Sequence, residues 1–313
     1  RDYGTCQLRK DRSMQLAHLI LAHTDLDHVC RLTKRLLGFS DVYIHIDANT
    51  DASELIKALS NYDSCYFISN RLHCDWGGWN AVKAEIELIR CAMQTKAYDR
   101  LVFLQGADYP IKTDVDIKSF FEENQEIEYI RGCQISGIDD PYYWQKCRYI
   151  SFLNNPNIVK RALNFVSRKL KLKVRSGYIR EGKNKYPVYW GGALWSITGK
   201  CASYLLSFYD NHPKFNRWFW YAFAADELYF VTVIMNSPLK KNTYAGGPEK
   251  PMKGTINWRT LHIWEYLPGR AKVYTLSDFD FLKQCKELYV RKVNSVRLFL
   301  LPRTVIKATA KQR

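Results

Sequence analysis

The sequence is poor in several things. No run approaches the roughly 20 consecutive apolar residues of a membrane span, and no charged-then-apolar leader with a small-residue cleavage site opens it; both lacks predict a cytosolic protein. The nine cysteines (Cys6, Cys30, Cys65, Cys74, Cys91, Cys133, Cys147, Cys201, Cys285) form no Cys-x-x-Cys pair, so neither a zinc site nor a disulfide framework is expected; Cys65 with His73 and Cys74 comes nearest to metal spacing. Helix-turn-helix, zinc-finger and RNA-binding signatures are missing, which argues against nucleic acid as the partner. Acidic residues are scarce as well: 31 Asp and Glu stand against 47 Lys and Arg, a formal charge of +16. That imbalance calls for an acidic partner, be it nucleic acid, an anionic lipid surface or a phosphorylated substrate.

What is present reads as α/β. At 313 residues with 47% hydrophobic content the chain can bury a core of its own. Residues 1–14 are read as a leader or disordered segment and set aside. Leu16–Ala22 is an apolar run that reads as a buried strand, followed by helical spacing from Asp27 to Leu37. Val42–Ile46, a short helix near Ala52–Leu59, a strand at Cys65–Ile68 and a helix carrying Val82, Ile86, Ile89 and Met93 continue the alternation. Leu101–Leu104 is predicted as the central strand, breaking at Gly106 into a loop with Asp108 and Pro110; Thr113 and Asp116 form a capping box for the next helix. Strands alternating with helices argue for a mostly parallel sheet. Ligands of such sheets bind beyond the carboxyl ends of the strands, where His23, Asp47 and Asp108 lie, although Asp108 also suits a plain turn.

The second half is less regular. Lys160–Lys185 holds ten Lys or Arg and a single acid, Glu181, among apolar residues at helical spacing; the pattern suits a lipid-surface helix or an ordinary solvated one. Tyr189–Trp195 is aromatic and glycine-rich, and Ala224-Ala-Asp226-Glu227 opens an apolar helix, where the two acids could be catalytic or simply complement a helix dipole. The tail from Arg291 holds seven Lys or Arg and no acid. Tail and basic helix together predict contact with an anionic membrane surface.

Taken in order, Leu-Ile-Leu-Ala-His23, Tyr-Ile-His-Ile-Asp47, Trp76-Gly-Gly, Gly106-Ala-Asp-Tyr-Pro-Ile-Lys112, Asp226-Glu227 and Tyr289-Val-Arg-Lys292 resemble the core-2/I-branching glycosyltransferases, family 14. These include β-1,6-N-acetylglucosaminyltransferases and peptide O-xylosyltransferases. The resemblance implies a GT-A fold over residues 15–293, with 15–122 as the nucleotide-binding half and 123–293 as the acceptor and catalytic half, followed by the basic tail 294–313. It implies an inverting transfer, without a metal cofactor, from a UDP-sugar, N-acetylglucosamine foremost, to a hydroxyl of a glycan or lipid-linked saccharide. Glu227 matches the family's base and Lys292 its phosphate-binding lysine; Arg270, one residue out of register, is the nearest match to its arginine. His23, Asp47 and Asp108 would line the donor site, and Trp190, Trp195 and Asp226 the acceptor, although both tryptophans suit a core equally well. Gly106-Ala-Asp108 has no second carboxylate two residues away, consistent with a metal-free site.

The chain departs from the family in Ala224-Ala225, Val293 and Ala193, the last at a place where xylosyltransferases carry an acid, which argues against peptide xylosylation. Without the membrane anchor and paired cysteines of Golgi members, it looks like a bacterial or other branch peripheral to the cytoplasmic face of a membrane. The alternatives are a UDP-xylose or UDP-hexose donor, a basic nucleic-acid-binding protein, or a non-catalytic sugar-binding relative.

Overall fold

A computed structural model describes residues 14–153, 157–170 and 175–295. The leader, apart from Met14, and the basic tail, apart from Asn294 and Ser295, lie outside the described residues. In the first half the order is β1 (Leu16–Ala22), α1 (Leu26–Leu36), β2 (Asp41–Ile46), α2 (Ser53–Leu59), β3 (Cys65–Phe67), α3 (Trp79–Thr95), β4 (Arg100–Gln105), β5 (Asp108–Pro110) and α4 (Asp114–Glu123). The second half runs β6 (Gly132–Gln134), α5 (Pro141–Cys147), α6 (Ile158–Lys169), β7 (Tyr178–Glu181), β8 (Asn184–Pro187), β9 (Tyr189–Gly191), β10 (Ser196–Thr198), α7 (Gly199–Asn211), α8 (Pro213–Phe219) and α9 (Tyr229–Met235). It ends with β11 (His262–Ile263), β12 (Tyr266–Leu267), β13 (Arg270–Ala271), α10 (Phe279–Gln284) and β14 (Tyr289–Arg291).

Five strands form the central sheet in the order β10-β4-β1-β2-β3, parallel except for β10. Each of β1, β2 and β4 is apolar on both faces because both faces are covered. Side chains alternate between two cores: Ala17, Leu19, Tyr43, Leu101 and Phe103 pack toward α3, α7 and α9, whereas Leu16, Ile20, Val42, Ile44, Val102 and Leu104 pack toward α1 and α4. This mostly parallel sheet flanked by helices is the α/β architecture expected of a GT-A fold. The order reverses direction between β1 and β4, so the crevice of an open α/β sheet lies beyond their carboxyl ends.

Two details differ from expectation. The segment after Gly106 is not simply a loop: β5 pairs antiparallel with β14, which in turn pairs parallel with β11. The last strand thereby returns to the first half, a pairing no local pattern announces. The Asp226-Glu227 segment forms a 3₁₀ turn, Ala225–Glu227, before α9 starts at Tyr229. Gly77 runs close to Ala224: a Cβ there would stand 3.2 Å from the Ala224 nitrogen. The Ala225 N–H donates to the Gly77 carbonyl at 3.1 Å, which ties the glycine loop to the acidic turn.

Candidate functional site

The rim beyond β1, β2 and β4 is built from loops that clasp one another. Asp47 follows β2, and its N–H donates to the Ala22 carbonyl at 2.9 Å. Its carboxylate accepts from the N–H groups of Cys74 (2.7 Å) and Asn49 (2.9 Å) and from His73 Nδ1 at 3.0 Å. Burial pushes this acid up, but those bonds outweigh it and the net shift is downward; the same contact raises His73. His23 is exposed, its carbonyl bonded to the Thr50 hydroxyl at 2.8 Å.

Lys292 reaches this rim from the far end of the chain. Beyond β14, the Val293 N–H donates to the Ala107 carbonyl at 2.8 Å and the Ser295 N–H to Asp25 Oδ2 at 2.7 Å. Residues 292–295 therefore cross the ends of both β1 and β4. Lys292 has no side-chain partner among the described residues, and burial together with the neighbouring Arg291 lowers its pKa, opposed by Asp108. Such an ammonium has charge to offer an anion.

Asp108 requires a correction. It is fully buried, accepts from Arg291 Nη1 and from the Gln105 N–H, both at 2.7 Å, and has His262 Nε2 3.5 Å away. Burial alone would raise this carboxyl; Arg291 beside it, with His262 and the Gln105 N–H, brings it down to about 2. A carboxylate so enclosed faces protein rather than a ligand, and it holds Arg291 in place beside Lys292. Arg270 lies exposed on the β12–β13 hairpin; two residues on, the Lys272 carbonyl accepts from the Lys292 N–H at 3.2 Å. The two predicted cations thus sit on neighbouring segments.

A second cluster surrounds Glu227. Its Oε2 accepts from Lys146 Nζ at 2.8 Å and from Trp190 Nε1 at 2.7 Å. Lys146, near the end of α5, is itself buried and lies 4.4 Å above the Trp190 ring, so cation, indole and carboxylate lock one another. Oε1 of Glu227 carries no hydrogen bond among the described residues, and the side chain is 19% exposed. Next to it Asp226 Oδ1 is buried without a hydrogen-bond partner among the described residues. Burial and the adjacent Glu227 push the Asp226 carboxyl up to about 6, and on α3 the buried Glu85 is raised for the same first reason and by Asp226 in turn.

The tryptophans also require correction. Trp190 and Trp195 are 0% and 2% exposed, the first bonded to Glu227 and the second to Glu85 at 2.9 Å. Neither ring face can stack on a sugar. The exposed aromatic here is Trp76, 76% accessible and edge-on to Phe223 at 5.5 Å. Sequence reasoning missed Lys146, a lone lysine with no motif around it, and Arg291, which stood beside the lysine it did single out.

A family model described as "Core-2/I-Branching enzyme" matches residues 16–259. The chain belongs to the core-2/I-branching enzyme family. Members similar to it are named as glycosyltransferases. Over 124 residues it is 29% identical to a bovine "Beta-1,3-galactosyl-O-glycosyl-glycoprotein beta-1,6-N-acetylglucosaminyltransferase", covering 37% of this chain and 29% of that protein. Human "Xylosyltransferase 2" is 23% identical over 240 residues, 72% of this chain and 25% of that one. A pig "Probable beta-1,3-galactosyl-O-glycosyl-glycoprotein beta-1,6-N-acetylglucosaminyltransferase 7" is 22% identical over 313 residues, 91% and 66%. The chain thus spans between a quarter and two thirds of the length of these relatives. The family match stops before Arg270 and Lys292, so the placement of those two is a matter of geometry alone.

Proposed function

We propose that this family member transfers a sugar, N-acetylglucosamine foremost, from a UDP-sugar to a hydroxyl of a glycan or lipid-linked saccharide. The observation that carries the reading is the asymmetry of Glu227: Oε2 is anchored by Lys146 and Trp190, while Oε1 bonds to none of the described residues. A carboxylate held by one oxygen and open at the other is arranged to take a proton. In the transfer, the acceptor oxygen attacks the anomeric carbon, Glu227 Oε1 takes the hydroxyl proton, and the bond to the UDP oxygen breaks with its electron pair leaving on UDP. Attack on the face opposite the leaving group inverts the anomeric centre.

Lys292 and Arg270 supply positive charge to the diphosphate as it departs, the work a metal does elsewhere. The carboxylate of the Gly106-Ala-Asp108 turn is already engaged by Arg291, which favours this metal-free reading. His23 and Asp47 stand at the uridine end. Of the donors, N-acetylglucosamine is preferred to xylose because of Ala193, although relatives of both kinds are found.

Glu227→Gln tests the proposal because it keeps shape but cannot accept a proton. Turnover should fall by roughly 10²–10⁴-fold with UDP affinity nearly unchanged, whereas Lys292→Ala should weaken UDP binding and slow transfer together. Near-normal turnover by Glu227→Gln would reduce the residue to a first-turn acid.

A further inference from the structure

Helix α6 is built inside out. A helix on a globular surface normally turns its apolar stripe to the core. Here Ile158, Val159, Leu163, Phe165, Val166 and Leu170 are all exposed, Ile158 by 84% and Phe165 by 64%. At about 100° per residue these positions fall within one arc of roughly 160°. The side that meets the body of the protein is polar: Asn164 Oδ1 accepts from the Phe152 N–H at 2.7 Å, and its Nδ2 donates to the Phe152 carbonyl at 3.0 Å. The apolar arc therefore points away from the fold, anchored from behind by an amide.

Charge indicates what covers it. Lys160 and Arg161 flank the arc, Lys169 stands within it at the helix end with its ammonium 5.6 Å over the Phe165 ring, and α6 holds no acid. The one acid of the surrounding basic segment, Glu181, accepts from His212 Nδ1 at 2.5 Å and from the Phe215 N–H at 3.1 Å. Size argues against a second copy of the chain. Twelve residues make a helix about 18 Å long and about 10 Å wide, a few hundred Å² at most, against the roughly 800 Å² per partner of a stable protein interface. Among the described residues no helix is long and apolar enough to cross a membrane.

We infer that α6 is an in-plane docking helix for an anionic phospholipid surface, with its apolar arc among the acyl chains and Lys160, Arg161 and Lys169 against the headgroups. The inference does not depend on the proposed transfer reaction. Its test is co-sedimentation of the full chain with phosphatidylcholine vesicles and with vesicles that also contain phosphatidylglycerol. Retention is expected on the second alone. Replacing Lys160, Arg161 and Lys169 together by Gln should weaken it by about two orders of magnitude, and Ile158→Ser with Phe165→Ser by at least tenfold. Ile158, Arg161, Phe165 and Lys169 are exposed and Lys160 half-buried, so circular dichroism should match the parent. Three results would overturn the inference: equal retention on both vesicles, retention unchanged in both variants, which would move the contact elsewhere in the chain, or a parent that self-associates without lipid where the serine variant does not.

Discussion

Asp226 and Glu227 are neighbours in sequence and opposites in circumstance. Glu227 has a cation and an indole on one oxygen, whereas Asp226 has a buried oxygen with nothing among the described residues to accept from. The folded-state value of Asp226, near 6, lies above the ordinary 3.8. Between these values the native state holds a proton that the unfolded chain has released, so stability falls as pH rises from about 4 to about 6, by no more than about 3 kcal/mol. Asp226→Asn should therefore unfold at higher denaturant concentration than the parent at pH 7 and lose that part of the pH dependence; Glu85, raised in the same direction, keeps a remainder. Equal midpoints at pH 7 would mean that the carboxylate is hydrated. Of these residues the sequence offered Asp226 and Glu227 through their shared motif, but not the lysine that holds Glu227. Lys146 lies 81 positions away, and nothing along a chain marks which lysine will be folded onto which acid. Trp190 and Trp195 were ambiguous for a related reason, since an indole serves a core and a sugar platform alike.

Elements were legible where their pattern is local. Strands β1, β2 and β4 are mostly apolar runs, broken inside only by His18 and His45, and α4 carries its capping box in plain view. The short strands of the second half were not, because β6 and β9 depend on each other: Gly132 pairs with Gly191 and Cys133 with Trp190. That pairing needs backbone contact. A Cβ on Gly191 would stand 1.8 Å from the Arg131 carbonyl oxygen, a collision only strand separation can relieve. Gly191→Ala should destabilise by about 3 kcal/mol and, because Trp190 precedes it, depress turnover in whatever folds. Gly182→Ala is the control: a methyl there meets nothing within 4 Å, leaving the cost of positive φ alone, about 1 kcal/mol. Thermal melting of the two variants checks both figures, and similar losses would mean that the β6–β9 contact yields more easily than its geometry implies.

At the scale of the whole molecule, the proposed transfer draws on two separate clusters: cations at the rim of the parallel sheet, and Glu227 held by α5, β9 and the turn before α9. If the rim cations replace a metal, UDP binding and sugar transfer should both persist in excess EDTA. Activity abolished by chelation and restored by manganese would instead return Asp108 to suspicion as a ligand. The rim has a further property. Lys292 is set by β14, and β14 is held to β1 through Tyr289, whose hydroxyl lies 2.8 Å from His18 Nε2 across 271 positions of sequence. Contacts of such separation are the costliest in chain entropy and form late. A nascent chain can assemble β1 to β4 on its own schedule, yet the proposed diphosphate clasp waits for β14 to dock. If Lys292 binds the diphosphate as proposed, UDP affinity is thus a marker of late assembly, since it would appear only once the segment carrying β14 has docked against β1.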